Sequence, residues 1–219
     1  VSAARRLVLA SGNLHKVAEL ARLVAAAGLP LRVSAASELG GLPAIVEDAS
    51  TFRGNAILKA RGFAGWLEER GLEGESLVLA DDSGICVDAL EGAPGVLSAR
   101  FAGPGATDAE NNARLVAALA SSGLDRSAAH YVCVLALRRV DGGPLAGGEP
   151  VRCFEGRWHG EVRAVRRGEG GFGYDPHFWL DGGACTVAEL SAEAKGARSH
   201  RGAATQALLA ALPELLPRA

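Results

Sequence analysis

The sequence predicts an α/β fold: a mixed sheet with helices on its flanks, bent into two lobes with a cleft between them. Three observations point there. Short apolar runs alternate with helical periodicities through the first half, the second half is richer in strands, and no internal repeat or low-complexity linker interrupts the 219 residues. That length suits one large domain, read as a single two-lobed unit over residues 1–219. With 48% hydrophobic and 22% charged residues, the chain has the composition of a folded globule.

The elements follow in order. Arg6 to Ala10 is a short apolar strand, and Ser11, Gly12 and Asn13 break it. Val17, Leu20, Ala21 and Val24 then recur with helical spacing, giving strand, tight loop and helix. Leu31 to Ala35 reads as a second strand, Thr51 to Glu69 as a long Ala-rich helix ending near Gly71, and Glu68 to Ser76 as a polar loop. Leu77 to Ala80 and Ile85 to Val87 are strand-like on either side of Asp81, Asp82, Ser83 and Gly84. Thr107 with Glu110 forms a capping box for a helix running to about Ala120. Tyr131 to Arg138, Arg152 to Phe154 and Gly160 to Val165 read as strands of a hairpin or meander. A glycine-rich loop at 168–173, a short strand from Pro176 to Leu180 and a helix from Arg201 to Leu212, stopped by Pro213, close the chain.

Composition excludes several function classes. Lys plus Arg total 23 against 25 Asp plus Glu, a net charge of -2, so no global basic field exists to hold nucleic acid. Tyr131 to Leu137 is the longest apolar run, far short of the roughly 18 residues of a membrane span. Arg5 and Arg6 precede only four apolar residues, too few for a secretory leader, and the expected location is the cytoplasm. Cys86, Cys133, Cys153 and Cys185 are widely spaced and read as reduced core thiols. Lysine is scarce: Lys16, Lys59 and Lys195 stand against twenty arginines, and asparagine occurs only at Asn13, Asn55, Asn111 and Asn112. A lysine that survives such a bias is a candidate for a position needing a compact ammonium on a flexible stem.

Polar clusters mark where chemistry could sit. Ser11, Gly12, Asn13, Leu14, His15 and Lys16 lie where a strand hands over to a helix N-terminus, a natural anion site, although Asn13 could equally be a plain N-cap. Asp81 and Asp82 follow a buried-type strand, where adjacent carboxylates need compensating cations or donors. Oxygen ligation by a few carboxylates plus substrate phosphates suits Mg2+, and Glu47 or Asp48 could add an oxygen. Asn55 and Lys59 share a helix face. In Gly168 to Pro176, Phe172 or Tyr174 could stack on a flat ligand, with Gly173 letting the backbone approach and Asp175 accepting from a ring N–H. Lys195, Ser199, His200 and Arg201 bring donors to the start of the last helix.

Together the segments SGNLHK, ED with TFRGNAILKA, LADDSGICVDALEGAPGVLSARFAG, GGFGYDPHF and AELSAEAKGARSHRG resemble the inosine triphosphate pyrophosphatase family over residues 7 to about 204. The resemblance implies a long curved mixed sheet with a central substrate cleft, a homodimer, and Mg2+-dependent hydrolysis of ITP, dITP and XTP to the monophosphate and pyrophosphate. It implies that Ser11 to Lys16 hold the triphosphate, Glu47 and Asp82 the metal, and that Ser83 touches substrate. Phe172 to Asp175, Lys195, His200 and Arg201 would form the pocket for base and phosphate. Asp82 matches the family's catalytic carboxylate, and either it or Asp81 would activate the water. Ala194 and Gly196 flank Lys195 where the family often has Glu and Asn, and the 68–76 loop is somewhat long. A nucleotide sensor without turnover and a hydrolase of modified pyrimidine nucleotides are the competing readings.

Overall fold

The computed structural model describes residues 5–72 and 76–215, so part of the polar 68–76 loop lies outside the described residues. Seven strands form one mixed sheet in the order β2-β1-β3-β4-β5-β6-β7. The chain divides into two compact units: the first takes the chain up to Asp82, Val134–Glu155 and everything from Ala204, the second Ser83–Cys133 and Gly156–Ala203. Three strands, β3 (Ser76–Val87), β4 (Arg126–Arg139) and β5 (Arg152–Arg163), contribute residues to both units.

The first unit begins with β1 (Arg5–Leu9), α1 (Leu14–Ala26) and β2 (Leu31–Ala35), then α2 (Phe52–Glu68). β1 runs parallel to both β2 and β3, with Leu7 opposite Val33 on one side and Leu77 on the other. Parallel strands buried on both faces require continuous apolar runs, and Leu7, Val8, Leu77 and Val78 are almost fully buried. Alanines 56, 60 and 64, with Phe63 and Leu67, form the buried stripe of α2, and Thr51 caps the helix by accepting from the Gly54 N–H.

The second unit holds α3 (Asp108–Ser121), β6 (Phe178–Leu180), β7 (Cys185–Thr186) and α4 (Ala192–Arg198). β6 pairs antiparallel with β5 and with β7. Ile85, Leu115, Leu119, Tyr131, Trp158, Tyr174 and Phe178 belong to its core, where the Tyr131 and Phe178 rings lie 4.6 Å apart. α5 (His200–Leu215) starts in this unit and ends in the first.

The sequence expectations need correcting in three places. The two strand pieces around Asp81 to Gly84 are one strand, β3, because pairing within the sheet overrides the poor strand propensity of Asp and Gly. Arg152 to Phe154 and Gly160 to Val165 are likewise one strand: Phe154, Gly156 and Trp158 alternate inward with exposed Glu155, Arg157 and His159. Pro213 lies within the last turns of α5 rather than stopping it. β7 and α4 are additions. No helix among the described residues is long and apolar enough to cross a membrane, and all four cysteines are free thiols.

Candidate functional site

In the first unit, the functional side chains gather at the end of β1 and along β3. Successive residues of an extended strand point to opposite sides, and the two aspartates follow that rule. Asp81 meets Lys16 of α1 at 2.9 Å, while Asp82 meets Lys59 of α2 at 3.2 Å. Each adjacent carboxylate thus has its own lysine, which is how the fold tolerates the pair. Lys59 also meets Glu47 at 2.9 Å, so one ammonium bridges two carboxylates. Asp48 points outward and is exposed. Asn55 is 1% exposed; its Oδ1 accepts from the Ala49 N–H at 2.9 Å and fixes the segment carrying Glu47.

Burial raises the Asp82 pKa above that of an ordinary aspartate, and Lys59 and the Asn55 amide only partly pull it back. For Lys59, burial works against the charge, but Asp82 and Glu47 outweigh it and the net shift is upward. The second oxygen of Asp82, Oδ2, is buried and has no hydrogen-bond partner. A buried carboxylate oxygen left open in this way is costly unless a ligand completes it.

The Ser11 to Lys16 loop is a formed helix N-terminus. Asn13 is the N-cap of α1, its Oδ1 accepting from the N–H groups of His15 and Lys16, and Ser11 Oγ accepts from the Asn13 N–H. The capping role is therefore what its side chain performs here. Gly12, Asn13, Leu14 and His15 are exposed.

The second unit gathers the aromatic and C-terminal candidates. Asp175 is 2% exposed: Tyr131 donates to Oδ1, while the Phe172 N–H and Lys195 reach Oδ2, so it organises the loop. Gly171 is obligatory, since at φ +76° an added Cβ would lie 2.0 Å from Asp175 Oδ2. Of the two aromatic candidates, Phe172 is 60% exposed with Lys195 Nζ 4.1 Å from its ring centroid, whereas Tyr174 is buried and donates to the Ser98 carbonyl at 2.8 Å. Only Phe172 presents a face. His200 stacks on Tyr131 at 4.8 Å between centroids, and Arg201 donates to Ser83 Oγ at 3.1 Å. Lys195 therefore joins the loop carboxylate and aromatic ring, with Ser83, His200 and Arg201 in the same unit.

Sequence reasoning missed four residues that hold this loop: Tyr131, Ser98, Asp108 and Asn112. Tyr131 read as part of an apolar strand, and Ser98 had no assigned task inside APGVLSAR. Only the scarcity of asparagine pointed toward Asn112.

Comparison with known proteins places the chain in a family. The Ham1 family profile matches residues 7–211. A protein of Ralstonia nicotianae named dITP/XTP pyrophosphatase is 49% identical over 208 residues, covering 94% of this chain and 95% of the relative. Another of that name, from Chromobacterium violaceum, is 47% identical over 210 residues, with 96% and 98% covered. A solved HAM1 protein from Coxiella burnetii superposes with a TM-score of 0.83 at 38% identity, over 96% of this chain and 99% of that one. On the span of that match and the level of these identities, the chain belongs to the Ham1 family.

Proposed function

We propose that this protein is a Mg2+-dependent nucleoside triphosphate pyrophosphatase that hydrolyses dITP, ITP and XTP to the monophosphate and pyrophosphate, and so keeps non-standard purines out of DNA and RNA. The observation that carries the reading is the Glu47, Lys59 and Asp82 cluster, with one Asp82 oxygen buried and open. The relatives named dITP/XTP pyrophosphatase support the substrate class. The same reading takes the protein to be cytoplasmic and homodimeric, as the sequence resemblance implies.

The donor set fits Mg2+. Among the described residues no group of three His, Cys, Asp or Glu side chains is placed to hold a metal ion. Glu47 and Asp82 come together on Lys59, and the unpartnered Asp82 Oδ2 suits an ion which takes one or two carboxylates from the protein and completes its shell with water and phosphate oxygens. Glu47 and Asp82 would hold it. When bound, it neutralises charge on the phosphate oxygens.

The chain's own residues supply the rest. Lys16 and Lys59 put compact positive charges where a triphosphate needs them, and the exposed N-terminus of α1 adds its dipole. Asp82 is the better base of the two aspartates. Burial raises its pKa above that of an ordinary aspartate and its Oδ2 has no hydrogen-bond partner, whereas Asp81 is paired with Lys16. In the second unit, Phe172 offers a ring face to a purine, and the donor-only guanidinium of Arg201 favours a 6-carbonyl over the 6-amino group of adenine. Product analysis of ITP with and without Mg2+ tests the proposal: monophosphate plus pyrophosphate, formed only with the metal, is expected. Diphosphate plus phosphate would overturn it.

A further inference from the structure

Resting on the reading that the 172–175 loop takes the base, we propose that Asp108 and Asn112 of α3 are positioning residues that set base selectivity by gripping Gly173 from behind. Gly173 is the pivot of the loop. It stands at φ +60° between exposed Phe172 and buried Tyr174, and it has no side chain by which to be packed. Its two backbone polar groups are held instead: its N–H donates to Asp108 Oδ2 at 2.6 Å, and its carbonyl accepts from Asn112 Nδ2 at 2.8 Å.

The grip is built from the sequence upward. The Thr107 and Glu110 capping box fixes where α3 begins, which puts Asp108 at its first residue. Asn112 follows four residues later on the same helix face. Its amide also donates to the Asp108 carbonyl at 2.8 Å, so both neighbours of Nδ2 are carbonyl oxygens and only the NH2 end of the side chain suits the position. Aspartate there would set a carboxylate against two carbonyls. Hydrogen bonds, not packing, must hold this side of the loop, because a cavity of about 660 Å3 is bordered by α3 residues Asp108, Asn112 and Val116 and by loop residues Gly171, Phe172 and Gly173. Released from the grip, Gly173 has both conformational freedom and space, and Phe172 is then held on this side only by the bond of its N–H to Asp175 and by Lys195 over its ring. Tyr174 and Asp175 keep their own anchors on Ser98 and Tyr131, so the displacement stays local to the aromatic face.

The test separates positioning from general damage. It compares kcat and KM for ITP, GTP and ATP, inhibition by inorganic triphosphate, and thermal melting in the wild type, Asn112→Ala, Asp108→Ala and Asp108→Asn, with these expected outcomes. Release of the loop raises KM for ITP and lowers ITP-over-GTP preference by about 10-fold in Asn112→Ala, with inhibition by triphosphate unchanged. Asp108→Ala breaks the other half of the grip and gives the same pattern should Asn112→Ala fail to fold. Asp108→Asn, which keeps an oxygen acceptor for the Gly173 N–H, recovers most of what Asp108→Ala loses. Unchanged base preference in both alanine variants, or equal losses toward ITP and triphosphate, overturns the proposal. Phe172→Ala run in parallel distinguishes the two failures. If it alters base preference while the α3 variants do not, only the grip is wrong. If it also leaves preference untouched, the reading of the loop as the base site falls.

Discussion

The two polar centres of this chain solve opposite problems. The first-unit cluster concentrates charge: Lys59 serves two carboxylates, and a buried Asp82 oxygen has no hydrogen-bond partner. The second-unit loop is tied down by hydrogen bonds, with both Asp175 oxygens bonded and each of Gly173, Tyr174 and Asp175 anchored to a different element, although Asn112 Oδ1 beside it is buried without a hydrogen-bond partner. A centre that crowds charge stores affinity for a charged ligand at the expense of stability, whereas one tied down by hydrogen bonds stores a shape. A triphosphate with its metal needs the first, and discrimination among purines needs the second.

The most severe way to break that division is Asp82→Asn. Turnover should fall by about 100-fold or more, as measured by steady-state kinetics on ITP, because the charge and the base are lost together. The fold should gain from the same change. Since burial raises the folded-state pKa above 3.8, protonation favours the native state, and that contribution is lost as pH rises through the raised value. A permanently neutral Asn therefore raises Tm at pH 7, and the difference closes as pH falls toward 3.8. In the wild type, the acid limb of kcat/KM should have its midpoint above the ordinary aspartate value.

The lysines sharpen the comparison at a smaller scale. Lys16→Ala should weaken inhibition by inorganic triphosphate and raise KM for ITP in parallel, by about 10-fold each. Lys195→Ala should raise KM for ITP alone, because its ammonium meets Asp175 and the Phe172 ring. Equal effects of both variants on triphosphate inhibition would erase the distinction between the centres. Gly171→Ala should disorganise the loop through the Asp175 clash and lower base preference by a comparable factor, read as the ITP-to-GTP ratio of kcat/KM.

How much of this was legible in the sequence follows the same divide. The first-unit centre announced itself because charge is visible residue by residue: Lys16, Lys59, Glu47 and the aspartate pair stood out in an arginine-rich chain. α2, read from the sequence as Thr51 to Glu69, runs Phe52–Glu68 with Thr51 as its cap. The second-unit centre was legible as a glycine-rich aromatic loop but not in its working. That Tyr174 points into the core and Phe172 outward, and that Tyr131 and Ser98 fix them, depends on contacts spanning 44 and 76 residues, beyond any local pattern. The continuity of β3 and β5 was hidden for a related reason. Asp, Ser and Gly argue against a strand locally, and only neighbouring strands overrule them.

The smallest effect lies behind the loop. His177 is buried, which lowers its pKa despite its hydrogen bond to the Arg163 carbonyl. A depressed histidine contributes stability that is present above its unfolded value of about 6.5 and is lost as pH falls below it. His177→Gln should flatten the decline of Tm below that pH, seen in melts from pH 7 to 5, with little change in ITP turnover at pH 7.

The division of labour is tested most directly by the ratio of kcat/KM for ITP to that for ATP, measured in the wild type, Asp82→Asn and Arg201→Ala. Asp82→Asn should depress both substrates by the same factor and leave the ratio intact. Arg201→Ala should collapse the ratio by removing donors that suit a 6-carbonyl and repel an amino group. A ratio that shifts with Asp82, or that survives the loss of Arg201, would contradict the assignment of phosphate chemistry to one centre and base reading to the other.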